Sequence, residues 1–144
     1  NMSVESKKWV EVIAKLIQRT QAGTLKWQIA PDEFSFTDQH GTSAIFISRY
    51  KNKILRISRI RYEVQDPGPS LGLFSTAGKT AYESVFGVKK YPYWTSKVDL
   101  EFVDSKGQHL WSFPNTDALE DLYTSVQYQV AGVSEFLDDI LKDE

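Results

Sequence analysis

Residues 97–113 read KVDLEFVDSKGQHLWSF, and residues 115–141 read NTDALEDLYTSVQYQVAGVSEFLDDIL. The first stretch alternates polar and apolar residues on both sides of a turn at Asp104-Ser105-Lys106-Gly107, which predicts a β-hairpin. The second stretch repeats apolar residues at steps of three and four, which predicts an amphipathic helix over residues 117–141. Because each element has one apolar face, we expect the helix to pack against the hairpin.

The length of this helix raises a geometric problem. A single helix over 117–141 would be ~37 Å long, whereas a strand of seven residues spans only ~23 Å. The helix must therefore overhang the sheet or change direction. Gly132, followed by Ser134 and Glu135, is the expected place for a bend or a new start.

Composition favours one domain covering residues 1–144, since a chain of this length buries about two thirds of its unfolded surface. The absence of cysteine excludes disulfides and thiolate metal sites and favours a cytoplasmic chain. Neither a membrane span nor a signal peptide is predicted. Asn1 before Met2 is interpreted as a cloning scar. The composition calls for no cofactor, no metal and no membrane partner.

The rest of the chain predicts a second helix and a meander of strands. The helix is expected to begin after Ser3 and to end at Gly23. Three strands are predicted at 33–37, 42–50 and 54–64, with turns at 38–41 and 50–53. The predicted fold is α+β: an antiparallel meander sheet of about five strands, with the N- and C-terminal helices packed on one face.

Residues 44–47 and 54–60 are apolar on both sides of their strands, so something must cover both faces of the sheet. The helices can cover one face, and the other needs a loop, a partner chain or a ligand. Residues 65–94 are a long aromatic-containing loop or lid, with a short helix near 79–86, and are expected to pack on the other face.

Both ends of the chain resemble a group of small bacterial proteins with no established activity. The resemblance rests on LIQRTQAGTLKW at the end of the first helix, on KVDLEFVDSKGQHLW, and on LEDLYTSVQYQVAGVSEFLDDIL. It covers about half of the chain and excludes residues 65–94. It implies a bacterial origin and a shared scaffold, and it carries over no catalytic residue.

Motifs for catalysis or metal binding are weak. Gly78-Lys79-Thr80 ends like a phosphate-binding loop, but the glycine that the motif needs five residues earlier is Leu73. His40 and His109 lie at predicted turns without a partner at metal-ligand spacing. Asp99 and Glu101 share a strand face and are interpreted as solvated. The chain is therefore not expected to be an enzyme.

Charge is distributed unevenly, although the net charge is only −2. Six basic residues and no acid lie between Arg49 and Arg61, while residues 115–144 hold eight acids and one lysine. Phosphate neutralisation by basic residues and base stacking on aromatic rings is how single-stranded nucleic acid is bound. The candidate interaction surface consists of Arg49, Lys51, Arg59, Arg61, Lys89, Lys90, Tyr91, Tyr93 and Trp94. Alternatively, these arginines pair with the acidic last helix or solvate a sheet edge.

The leading hypothesis is a non-catalytic protein-interaction or regulatory module that binds a protein partner or a second copy of itself. The alternative is a nucleic-acid-binding protein that uses the basic strand and the Lys89–Trp94 segment. An enzyme is the third hypothesis, because active sites are assembled in space from residues that sequence spacing does not connect.

Overall fold

The computed structural model of the chain describes residues 4–36, 44–66 and 91–143. The helices in these ranges are α1 (Val4–Ala22), α2 (Ala118–Val130) and α3 (Val133–Lys142). The strands are β1 (Trp27–Ile29), β2 (Phe46–Tyr50), β3 (Lys53–Val64), β4 (Tyr93–Val103) and β5 (His109–Ser112). The turn predicted at 38–41 and the helix predicted at 79–86 lie outside the described residues.

The five strands form one antiparallel sheet in the order β1-β2-β3-β4-β5, which confirms the predicted α+β meander. Each strand therefore pairs with its neighbour in the chain. Tyr50 pairs with Lys53 across a two-residue loop, in which Lys51 adopts a φ of 55°. The predicted hairpin at 97–113 is β4 and β5, and its register shifts between Phe102 and Val103.

The main core lies between the sheet and the helices α1 and α2. The side chains of α2 that face the sheet are all 1 % exposed or less, as are those of Ile57 on β3 and Leu100 on β4. The buried members from the helices are Ile13, Leu119, Leu122, Tyr123 and Val126. Trp9 on α1 also stacks on Trp111 of β5, with 5.1 Å between the ring centroids. This packing confirms that both ends of the chain supply helices to one face of the sheet.

The strand predicted at 33–37 is wrong over its described residues. Asp32–Phe34 forms a turn of 3-10 helix, and the first strand is instead Trp27–Ile29. Phe34 is 2 % exposed and packs with Ile47 and Val103 on the face of the sheet opposite α1 and α2. The segment predicted as a strand therefore covers part of the second apolar face.

The end of α1 agrees with the sequence prediction. Gly23 has a φ of 78°, a left-handed conformation that costs a residue with a Cβ atom but not glycine. The N–H of Gly23 donates to the carbonyl of Thr20, and the N–H of Thr24 donates to that of Arg19. These two hydrogen bonds are those of a Schellman motif, which satisfies the last carbonyls of the helix.

A polar contact then attaches β1 to both helices. Gln129 of α2 accepts a hydrogen bond from the N–H of Trp27 at 2.7 Å and donates to the carbonyls of Thr20 and Leu25 at 2.8 and 2.9 Å. The indole N–H of Trp27 donates to the hydroxyl of Thr20 at 3.0 Å. Each buried polar group at this junction therefore has a partner, as burial requires.

The predicted change of direction at Gly132 is confirmed. Gly132 has a φ of 69°, and it separates α2 from α3. The N–H of Ala131 still donates to the carbonyl of Gln127, whereas the N–H of Phe136 donates to that of Gly132 and starts the next helix. The long amphipathic pattern is therefore two helices that meet at a glycine.

The chain divides into two compact units, Asn1–Ile60 with Lys97–Glu144, and Arg61–Ser96. The described part of the second unit includes the last residues of β3 and the first residues of β4. There the guanidinium of Arg61 lies over the ring of Trp94, and the rings of Tyr91 and Tyr93 are 5.4 Å apart. Among the described residues, no helix is both long enough and apolar enough to cross a membrane.

Candidate interaction surface

The first candidate surface is the apolar face of α3, which is exposed. No side chain of α3 is buried. Its large apolar side chains follow the helical spacing and are exposed: Phe136 60 %, Leu137 45 %, Ile140 55 % and Leu141 83 %. Single exposed apolar residues are common on protein surfaces, but a contiguous stripe marks a contact site. We call these four residues the α3 stripe.

Acidic side chains surround the α3 stripe. At 100° per residue, Asp138 and Asp139 lie on either side of it, and Asp143 lies near its C-terminal end. Carboxylates at the C-terminal end of a helix are unfavourable for the helix dipole. Their position therefore does not stabilise α3 itself. A partner that binds α3 would therefore meet the apolar α3 stripe with carboxylates along its border.

A second exposed feature is a groove of about 390 Å³ beside α1, which we call the α1 groove. Its apolar and aromatic lining is Val12, Leu16, Leu25 and Tyr50, and its charged lining is Lys8, Glu11, Lys15 and Arg19. The guanidinium of Arg19 and the ammonium of Lys51 lie 5.8 and 5.5 Å from the centre of the Tyr50 ring. The α1 groove is thus apolar at its base and mostly basic at its border.

A larger cleft of about 540 Å³ lies where the C-terminal end of α1 meets α2 and the start of α3. Most of its lining residues are of polar types, among them Thr20, Lys26, Gln129 and Glu135. Because Thr20 and Gln129 are hydrogen-bonded to each other and to the chain around Trp27, these groups hold the helices together. The cleft is therefore part of the scaffold that supports the base of α3.

The structure separates the arginines that the sequence placed in one candidate surface. The guanidinium of Arg49 lies 5.6 Å from the centre of the Phe34 ring, whereas that of Arg59 lies 5.2 Å from the centre of the Tyr123 ring. Phe34 and Tyr123 belong to the clusters on opposite faces of the sheet. Arg49 and Arg59 therefore lie on opposite faces of the sheet, and Lys51 lies over the ring of Tyr50, which lines the α1 groove.

Arg59 pairs with an acidic residue of the helical region at 117–141, which is the alternative that the sequence analysis gave for these arginines. Its two terminal nitrogens donate to the carboxylate of Glu120 at 2.6 and 3.2 Å. These hydrogen bonds are the largest cause of the raised pKa of Arg59. The pair joins β3 to the first turn of α2, so much of the charge of Arg59 is neutralised within the chain.

The remaining residues of the predicted surface belong to the second unit. Arg61 is exposed and lies 5.8 Å from the centre of the Trp94 ring, which is 40 % exposed. Tyr91 and Tyr93 are half-buried and lie close to each other. Lys89 and Lys90 lie outside the described residues. The structure thus brings together Arg61 and Trp94, a cation and an aromatic ring.

The sequence reading missed a buried ionic cluster, and its assignment of Glu101 to a solvated face is wrong. Glu101 is 4 % exposed and Arg56 is 7 % exposed, and they form a salt bridge of 2.7 Å. Arg56 also donates to the carbonyls of Phe34 and Gly107, both at 3.0 Å. One buried arginine therefore ties the covering segment and the hairpin turn to the sheet.

His109 extends this cluster to the surface. Its Nδ1 lies 2.9 Å from the same Glu101 oxygen, and its side chain is 52 % exposed. Burial raises the pKa of the nearby Asp99 carboxyl, and the negative charge of Glu101 raises it further. The Nε of Arg56 and the hydroxyl of Ser58 are buried and have no hydrogen-bond partner among the described residues. Glu101 is therefore shared between the guanidinium of Arg56 and the imidazole ring of His109, and this shared carboxylate joins β3, β4 and β5.

The signals for these sites differ in the sequence. The α3 stripe follows from the helical period and from the mismatch between helix length and strand length. The buried cluster depends on the pairing of β3 with β4, which no local pattern specifies. Within the described ranges, no group of three or more His, Asp or Glu side chains is placed to hold a metal ion.

Comparisons with protein-family models, with curated proteins and with solved structures found no match to this chain.

Proposed function

We propose that the chain is a non-catalytic protein-interaction module that docks through the α3 stripe. The observation that carries this proposal is an amphipathic helix with four large apolar side chains 45–83 % exposed and none buried. Full burial of such a side chain contributes ~1.5–3 kcal/mol. Covering the stripe therefore offers several kcal/mol, which α3 does not gain within its own chain.

The acidic border of the stripe defines the partner further. Helices of this kind bind by laying the apolar side into a groove on a folded protein. Asp138, Asp139 and Asp143 would repel an acidic surface and attract a basic one, which selects the partner and its orientation. The proposed partner is thus a folded protein with an apolar groove and a basic border.

Catalysis has less support. The Glu101–His109 pair is the strongest arrangement for acid/base chemistry among the described residues, but its carboxylate also binds Arg56. Neither the α1 groove nor the polar cleft includes His109. A bacterial origin and a cytoplasmic location belong to the same proposal, and they rest on the resemblance of both chain ends and on the absence of cysteine.

The test is an affinity capture from a lysate of the source cells, with wild-type bait and a Leu137→Asp/Leu141→Asp bait. Since both leucines are exposed, the variant should fold normally, which far-ultraviolet circular dichroism checks. Leu110→Asp is the matched control, because Leu110 is 60 % exposed but lies on β5. We expect the wild type and the control to retain the same protein, and the stripe variant to lose it. Equal capture by all three baits would refute the proposal.

A second candidate function is nucleic-acid binding, which the Arg61–Trp94 contact supports. An arginine over an exposed indole is a common element of single-strand binding, where the ring stacks on bases and the cation neutralises phosphate. Half of each capture is treated with nuclease before elution, and both halves are read by ultraviolet absorbance and mass spectrometry. Nucleic acid that is present only in the untreated half, with its associated proteins lost on digestion, would support this function.

The arginine itself is tested by Arg61→Glu, with binding of a fluorescent single strand measured at several salt concentrations. Nucleic-acid binding predicts an affinity that falls steeply with salt and is lost in this variant. Arg59→Gln is the control, because Glu120 already neutralises Arg59. Binding that is unchanged in Arg61→Glu would exclude the Arg61–Trp94 surface.

A further inference from the structure

We propose that the partner of the α3 stripe is a second copy of this chain, and that the stripe of one copy occupies the α1 groove of the other. This inference rests on the proposed function and names its partner. Both surfaces belong to the same compact unit and are exposed in the single chain. Each copy therefore presents one helix to insert and one groove to receive it.

The two surfaces are complementary in charge. Apart from Lys142, the charged side chains of α3 and its C-terminal residue are all acidic: Glu135, Asp138, Asp139 and Asp143. The charged side chains of the α1 groove are Lys8, Lys15 and Arg19, with one acid, Glu11. Docking thus places an acidic border against a basic one. Pairing α3 with α3 would instead bring two acidic helices together, which costs free energy.

The surfaces are also complementary in their apolar parts. The α3 stripe presents Phe136, Leu137, Ile140 and Leu141 along about two helical turns. The base of the α1 groove presents Val12 and Leu16 one turn apart on α1, with Tyr50 beside them. Val12 is 39 % exposed and Tyr50 is 40 % exposed, and both line the groove together with the buried Leu25. The same contact therefore covers the exposed apolar residues of both surfaces.

This contact joins two different surfaces, so its symmetry has a testable consequence. When two copies exchange helices reciprocally, both contacts form and the assembly closes as a two-fold dimer. A variant that lacks only the stripe keeps a working groove, and a variant that lacks only the groove keeps a working stripe. Each variant alone loses both contacts of the reciprocal dimer, whereas a mixture of the two can form one contact.

The experiment measures mass by light scattering over a range of concentrations for the full chain, the stripe variant Leu137→Asp/Leu141→Asp and the groove variant Lys15→Glu/Arg19→Glu. We expect the wild type to dimerise and each variant to dissociate with a dissociation constant at least about tenfold higher, which corresponds to ~1.4 kcal/mol. An equimolar mixture of the variants should form a heterodimer. Lys7→Glu, an exposed charge reversal on α1 outside the groove lining, should dimerise like the wild type.

Three results would overturn the proposal. A wild type that stays monomeric at the highest concentration excludes self-docking. A groove variant that dimerises as well as the wild type shows that α3 does not use the α1 groove. A mixture that stays monomeric, when both variants are folded, excludes the complementary contact. In each case a capture that still depends on the stripe would sustain the proposed function with a different partner, and loss of that dependence would refute both.

Discussion

The helices α2 and α3 have the same kind of sequence and opposite surroundings. Both carry apolar residues at helical spacing, and only two residues separate them. Leu122 of α2 is completely buried, whereas Leu141 of α3 is 83 % exposed. The change occurs at Gly132, whose left-handed conformation separates the buried α2 from α3, which has no buried side chain. An amphipathic pattern therefore shows which side of a helix is apolar. Only the tertiary structure shows whether another element packs against that side.

Two arginines of β3, Arg56 and Arg59, each form an ion pair with a glutamate, and the two pairs differ in burial in the same way. Arg56 and Glu101 have side chains that are 9 % and 5 % exposed, while Arg59 and Glu120 are 28 % and 49 % exposed. The distances are 2.7 and 2.6 Å, so geometry alone does not distinguish them. Burial distinguishes the two pairs. Water screens the exposed Arg59–Glu120 pair, whereas each buried charge of the Arg56–Glu101 pair depends on the other for compensation.

The largest effect is expected from Glu101→Ala. The guanidinium of Arg56 would remain buried without a counter-charge, and removal of one partner from a buried pair destabilises a protein by ~3–5 kcal/mol. Urea unfolding measures this loss of free energy. Glu101→Gln is the control, because an amide oxygen of the same size can still accept a hydrogen bond from Arg56 and should restore part of the stability. A loss below about 1 kcal/mol in Glu101→Ala would mean that solvent enters the cluster.

Leu122→Ala tests the buried apolar side of α2 directly. It removes a completely buried side chain from α2 and should cost ~2–5 kcal/mol of the free energy of unfolding. The matched variant is Leu141→Ala on α3, where a surface substitution should change stability by no more than ~0.5 kcal/mol when the chain is monomeric. Unfolding of both variants is compared at one low protein concentration. Equal losses would mean that α3 is packed in solution.

Gly132→Ala tests the junction between the two helices. The φ of 69° is unfavourable for alanine, and a left-handed residue with a Cβ atom costs ~1–2 kcal/mol. The added Cβ atom would lie 3.5 Å from the Glu135 carboxylate, which is an ordinary contact, so the backbone alone causes the loss. Gly132→Asn should lose less, because asparagine tolerates this conformation. Thermal unfolding of the two variants checks the order, and a stability equal to the wild type in both would contradict it.

The smallest effect is expected from Glu120→Ala. Exposed pairs such as Arg59–Glu120 contribute ~0.2–1 kcal/mol, and salt reduces that contribution. Urea unfolding at low and high ionic strength should therefore show a small difference from the wild type that shrinks with salt. A loss as large as that of Glu101→Ala would show that the contact between β3 and α2 is shielded from water.

Much of the described architecture could be predicted from periodicity and turn chemistry. The helical spacing before Gly23 specified α1, and Gly23 supplied the left-handed residue that ends it. The alternation around Asp104–Gly107 specified the β4–β5 hairpin, and Gly132 marked the break between α2 and α3. These features depend on backbone conformation and on neighbours within a few residues, which the order of amino acids contains.

Other features depend on residues that are distant in the chain. The period-two pattern of Phe34 and Phe36 is typical of a strand, yet Phe34 packs on the second face of the sheet with Ile47 and Val103. Glu101 looked solvated until the pairing of β3 and β4 placed Arg56 beside it. The exposure of the α3 stripe likewise depends on what packs against α3, which the helical period does not contain.

The amino-acid order thus determined the helices, the hairpin, the glycine junctions and the side of each element that is apolar. The tertiary structure decided which apolar sides are covered, which charges are buried, and that Arg49 and Arg59 face opposite ways. The physical reason is that burial is a property of the surroundings of a residue and not of the residue itself. Local chemistry sets conformation, whereas long-range packing sets the dielectric environment and the exposed area on which binding depends.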